Sequence, residues 1–243
     1  MAASPRITSP KTRSPKAALR DAARPPANPL LSRWTAPFGA PPFGSIAPEH
    51  FRPAFDAALA RHDAEIARIA GGSSKPTFKN TIIALENAGR LLDRVSGVFW
   101  NLCGADTNDA LQAIEREMAP RLARHATAIT SNAALFARID AVHEARDALA
   151  LSGEERRVLE RMHLGFVRAG ARLEEAQRNR MAEIVQRLAT LGTSFSQNVL
   201  ADEKNFMLPL DAKTDLAGLP DFVIAAAAVA AKERGARASH VVT

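Results

Sequence analysis

From Pro48 to about residue 203, apolar residues recur at spacings of three, four or seven, the repeat of a helix with one buried face. Pro48 suits a first-turn position, and Phe51, Phe55, Leu59, Ile66 and Ile69 follow before Gly71-Gly72 ends the run. After Pro76-Thr77, the residues Phe78, Ile82, Leu85, Leu92, Val95, Phe99 and Leu102 fall on one stripe and predict a single further helix. Asp106-Thr107-Asn108 offers N-cap side chains for a helix bearing Leu111, Ile114, Met118, Leu122 and Ile129, in which Pro120 predicts a kink or break. Asn132 is placed to cap a helix carrying Leu135, Phe136, Ile139 and Val142. Ser152 with Glu155 has the capping-box spacing ahead of Val158, Leu159, Met162 and Phe166.

The most regular run is also the longest: Leu173, Met181, Ile184, Leu188, Leu191, Phe195 and Val199. Such a seam predicts a partner helix along its length. Beyond residue 203 the pattern changes to a short strand within Asn205 to Leu210, a turn from Leu216 to Pro220, and an alanine-rich helix from Pro220 to Arg234 ending at Gly235. His240-Val241-Val242-Thr243 reads as the first residues of another strand, which leads us to expect a truncated chain. No internal repeat of fixed period is present.

Eleven of the 15 prolines fall in residues 1–53 and divide the chain. Residues 1–28 read as a disordered, basic, Pro/Ser-rich extension, and 29–47 as an extended Pro/aromatic arm held on a body, since a free linker has no use for Trp34, Phe38 and Phe43. Residues 48–203 form the helical region, and 204–243 begin a further subregion. The formal charge of +6 is concentrated in the extension. There Arg6, Lys11, Arg13, Lys16, Arg20 and Arg24 stand against Asp21, giving 6 − 1 = +5 and leaving 6 − 5 = +1 for the rest. A near-neutral body has no charge-based affinity for nucleic acid or lipid, and the extension reads as a solvated tail. It contains Arg and Ser and is poor in acids, as organelle transit peptides are, which a plain disordered extension explains equally well, and it lacks the apolar core of a secretory signal. The single cysteine, Cys103, excludes an internal disulfide, fits a reducing compartment, and sits beside Phe99, Trp100 and Leu102 as a buried, inert thiol would. The longest apolar run, Phe222 to Ala231, is well short of the roughly 20 residues of a membrane span.

Six histidines make a zinc site arithmetically available. A helical zinc-hydrolase site needs His-Glu-x-x-His, because histidines four apart share a face and the glutamate can deprotonate a bound water. His143-Glu144-Ala145-Arg146-Asp147 fails at its last position and reads as a solvated helix face behind Ile139 and Val142. His50, His62, His125, His163 and His240 are scattered singly, with His62 on an apolar stripe between Leu59 and Ile66. Gly165 and Gly170 read as packing or helix-end positions, and Glu154-Glu155 and Glu174-Glu175 as acids favoured at helix starts. No nucleophile elbow, phosphate loop, dinucleotide fingerprint or paired-cysteine motif occurs, so no catalytic, cofactor-binding or metal residue is assigned to this sequence.

Its specific words add what spacing does not. Asn28-Pro29-Leu30-Leu31, Pro42-Phe43, His50-Phe51 with Pro53-Ala54-Phe55, Pro76-Thr77-Phe78, Asn80-Thr81-Ile82 and Ala84-Leu85-Glu86 resemble one known family in order and spacing. So do Leu92-Asp93-Arg94-Val95, Asn101-Leu102, Leu111-Gln112-Ala113-Ile114-Glu115, Phe166-Val167-Arg168-Ala169-Gly170-Ala171 and Phe195-Ser196-Gln197-Asn198-Val199-Leu200. The family is that of the zinc metallopeptidases that include thimet oligopeptidase, oligopeptidase A and the peptidyl-dipeptidase Dcp, and the wording is most similar to the Dcp branch.

The resemblance runs from about residue 28 to the end and covers the first third or so of the family's length. It implies an all-α fold of long antiparallel helices with a minor strand near the C-terminus, the N-terminal lobe of a two-lobed neurolysin-like peptidase. In that family the N-terminal helices wall a deep channel that admits short peptides, and the complete enzyme is cytoplasmic and uses zinc. The zinc motif, the third ligand and the peptide-binding histidine and tyrosines lie far downstream, so none of these roles is carried over here. The resemblance therefore implies a substrate-channel wall of a peptidyl-dipeptidase or oligopeptidase that is inactive as it stands. Its partners would be short peptides in the full-length enzyme and the missing C-terminal catalytic portion, with no nucleic acid or membrane. The alternative reading is a non-catalytic helical module that binds peptides or a partner.

Overall fold

A computed structural model describes residues 28–243, so all but the last residue of the basic extension assigned to 1–28 lies outside the described residues. The elements are helices α1 (Phe51–Ala70), α2 (Arg90–Ala105), α3 (Asp109–Thr130), α4 (Ala133–Glu144), α5 (Gly153–Arg168), α6 (Glu175–Asn205) and α7 (Asp221–Glu233), with strands β1 (Leu208–Leu210) and β2 (His240–Val242). The all-α class with a minor strand component is what is observed.

The helix starts follow local chemistry. The Asn108, Asn132 and Ser152 side chains accept from the backbone N–H groups of Leu111, Leu135 and Glu155, and Glu155 reaches back to the Ser152 N–H. Each satisfies a donor that the first turn leaves without a partner.

Two sequence expectations are corrected. The single helix predicted from Phe78 to Leu102 is two pieces: one π-helical turn (Phe78–Ile83) with a short α-turn (Ala84–Glu86), then α2. The break falls at Gly89, whose φ of 78° suits glycine alone and whose missing Cβ leaves room for the His62 ring. Conversely, α3 runs unbroken through Pro120. The proline removes one bond to the Arg116 carbonyl, while Leu111, Ile114 and Met118 stay buried along the same face.

The arm over 29–47 includes two 3₁₀ turns (Pro37–Gly39, Phe43–Ser45), with extended backbone at Ala36, Ile46 and Ala47 beside them. It is fastened where Leu30 is buried, where Asn28 donates to the His50 carbonyl at 2.7 Å, and where Arg94 donates to the Leu30 carbonyl at 2.6 Å and lies 4.9 Å over the Trp34 ring. Phe38 and Phe43, expected to pack, face solvent, Phe38 from a left-handed turn at φ 59°.

Two cores hold the body. In the first, Phe51, Ala54, Phe55 and Ala58 of α1 meet Leu92, Val95, Val98 and Phe99 of α2 and Leu111, Ile114 and Met118 of α3, with Leu30 of the arm closing one end. Phe99 is the hinge of that core, edge-on to Phe51 at 5.0 Å and to Phe55 at 5.3 Å. In the second, Ile66 and Ile69 of α1 and Ile82 of the π-turn meet Leu135, Ile139 and Val142 of α4 and Leu159 and Phe166 of α5. Cross-helix pairs fix the directions. Arg52–Glu117, Asp56–Arg121 and His62–His125 advance together, so α1 and α3 are parallel, whereas Phe136–Phe166 and Asp140–His163 run oppositely and make α4 and α5 antiparallel. Among the described residues β1 and β2 form one antiparallel pair, Pro209 opposite Val241, and α7 packs on β2 through Ala227 and Ala231.

Candidate functional site

Helix α6 is the element whose surface asks for an explanation. It packs on α3, and its covered positions over this stretch are Met181, Ala182, Val185, Gln186, Ala189, Thr190, Thr193 and Gln197, with Thr193 the most buried. Gln197 fastens the pair. Its amide donates to the Gln112 carbonyl at 3.1 Å and to Glu115 Oε2 at 2.7 Å, and its oxygen accepts from Arg116 at 2.5 Å. Lys204 and Asn205 lie near Thr107 and Asn108 around a cleft of ≈ 470 Å³, so α6 runs antiparallel to α3.

The seam that predicted a partner divides: Leu173 and Met181 are half-buried beside Gly170, whereas its stretch from Ile184 onward is not the packed face. Ile184, Leu188, Leu191, Phe195 and Val199 are solvent-exposed, Leu188 by 62% and Phe195 by 70%, whereas Thr193 is 9% exposed. At 3.6 residues per turn the exposed set lies on the opposite side of the helix from Ala182, Ala189 and Thr193. A stripe from Ile184 to Val199 is about 22 Å long at 1.5 Å per residue, and a contiguous apolar strip of that kind marks a contact surface. Its chemistry is shape and burial, with no titratable group in the stripe.

The histidines, read singly from the sequence, are in two cases paired. His62 Nδ1 and His125 Nε2 are 3.0 Å apart, and Asp63 lies 3.1 Å from His125 Nδ1. The two imidazoles share one hydrogen bond, whose direction follows the tautomer the pair adopts. Burial, then the neighbouring His125, push His62 below the usual imidazole range. The second pair, His143 and His163, stacks with ring centroids 3.8 Å apart and 4° between planes, and His163 Nε2 donates to Asp140 at 2.8 Å. These contacts join residues far apart in sequence, and no local signal foretells them. His50 accepts the Ala47 N–H at 3.0 Å, a local structural role, and His240 lies 2.9 Å from the Ser239 hydroxyl.

The incomplete zinc-like run ending at Asp147 points elsewhere: Asp147 pairs with Arg156 at 2.8 Å and Arg146 donates to the His143 carbonyl. Among the described residues no group of three or more His, Cys, Asp or Glu stands close enough to hold a metal ion, so the donor set here does not fit the zinc that the resemblance implies. Burial pushes the Cys103 thiol up to about 12, which keeps it a thiol at neutral pH. Arg138, 8% exposed, donates to the Gly72 and Ser74 carbonyls and to Asn80, and so ties down the connection between α1 and the π-turn. No described helix is long and apolar enough to cross a membrane.

Comparison with known proteins places these features. The chain is 43% identical over 208 residues to a dipeptidyl carboxypeptidase of Escherichia coli, covering 86% of this chain and 30% of that protein. It is 29% identical over 213 residues to a probable cytosolic oligopeptidase A of Arabidopsis thaliana (86% of this chain, 29% of that protein). To an oligopeptidase A of Salmonella typhimurium it is 26% identical over 210 residues (85% and 30%). The chain thus spans about 30% of the length of these curated relatives and matches their N-terminal portion. No protein-family model matches it.

Proposed function

The chain belongs to the family of dipeptidyl carboxypeptidase and oligopeptidase A, and from that premise we propose that it is the substrate-channel wall of a cytoplasmic, zinc-dependent peptidyl-dipeptidase or oligopeptidase. The 43% identity over 208 residues carries this reading. Zinc chemistry belongs to residues outside this chain, which supplies a rigid helical wall and no reacting group. The open stripe of α6, from Ile184 to Val199, is the surface on which the catalytic portion packs, and short peptides are the substrates of the assembled enzyme. The sequence resemblance favours release of C-terminal dipeptides.

The test mixes the purified chain with the part of the Escherichia coli relative that the chain does not match, and follows dipeptide release from a short peptide with a free C-terminus. We expect chelator-sensitive release from the mixture and none from either component alone. Release by the chain alone, or a mixture as silent as its parts, contradicts the proposal.

A further inference from the structure

Outside the α6 surface, a cluster of titratable side chains lies on the α4–α5 seam. His163 is sandwiched there, with Phe136 stacked on one side at 5.7 Å and His143 on the other at 3.8 Å. Its side chain is 11% exposed. The groups facing the pair are Asp140 on α4, Arg146 just beyond it, Glu160 on α5 and Arg172 after it, the last 3.3 Å from Asp140.

We propose that the His143 imidazole, stacked on His163 and tied through it to Asp140, forms an acid-sensitive latch: the neutral His143 ring holds α4 against α5, and its protonation lets the helices part. The two rings lie face to face at 3.8 Å, and His163 donates to the carboxylate. An imidazolium at His143 places a charge face-on against the His163 ring in a partly buried site, with Arg146 adding a cation nearby. Burial pushes the Asp140 carboxyl up, but the hydrogen bonds and charges of His163 and Arg172 outweigh this and hold it below the usual range; its carboxylate favours a charged His143, and burial, His163 and Arg146 together outweigh that attraction.

The direction for His143 agrees: burial first, then His163 and Arg146, hold it below the usual imidazole range. The folded chain therefore binds fewer protons at His143 than the unfolded chain does. Stability is complete above the unfolded value of about 6.5, falls as pH drops below it, and levels off under the lowered folded value. His62 is shifted the same way on the α1–α3 seam, so the readout has to be local to α4–α5.

The experiment is amide hydrogen exchange of the 243-residue chain at about pH 7.5 and about pH 5.5, each corrected for intrinsic exchange, beside a His143→Phe variant whose ring stacks without titrating. Wild type should lose about tenfold in protection over Val158 to Phe166 on acidification, and the variant no more than about twofold. A ring-proton titration of His143 in the wild type, independent of how the variant folds, should give a midpoint below that of the unfolded chain. Equal losses in the two chains, or an unshifted His143 midpoint, would overturn the latch.

Discussion

Helices α2 and α6 carry apolar stripes of similar regularity and present them in opposite directions. The α2 stripe, Leu92, Val95 and Phe99, turns inward and is closed by α1 and α3. The α6 stripe turns outward, and the contact with α3 is made instead by the covered face behind it, where Thr193 and Gln197 lie. Periodicity states that a face needs cover, and it is silent on what supplies the cover. For α2 the cover lies in neighbouring helices of the same body, whereas for α6 the described residues supply none. A helix held by one side with its large apolar side free is built to join two bodies, which is the role proposed for it.

The contrast yields substitutions of graded effect, each read as a change in the urea midpoint of the chain. Phe99→Ala, in the α2 core, removes a ring that meets Phe51 and Phe55 edge-on and should cost about 3–5 kcal/mol. Thr193→Leu enlarges the α6 face that is already packed on α3, and should cost about 1–3 kcal/mol by forcing the two helices apart. If α6 were held chiefly through its apolar stripe, the second substitution would be close to neutral.

Much of the body was legible because its signals are local. The caps at Asn108, Asn132 and Ser152 depend on side chains three residues from the donors they satisfy, and they are where spacing places them. The break at Gly89 was hidden because apolar positions on either side remain in register, and only the left-handed backbone interrupts them. Pro120 misled in the other direction: the rule weighs one lost hydrogen bond, and the buried Ile114 and Met118 outweigh it. The α6 seam was found as a seam, but its orientation depends on α3 selecting the opposite face, a tertiary choice that no spacing encodes. The histidine pairs were illegible for the same reason: His62 and His125 meet across 63 residues.

The central claim, that the α6 stripe is a contact surface outside the chain's own folded core, is tested most directly by urea denaturation of a Leu188→Gln, Phe195→Gln double variant. Both side chains are more than half exposed, so the midpoint should move by no more than about 0.5 kcal/mol in equivalent stability, with less aggregation than the wild type. A loss of about 3 kcal/mol or more, the scale of a buried core truncation, would show that the stripe is part of the chain's own core and would contradict the account.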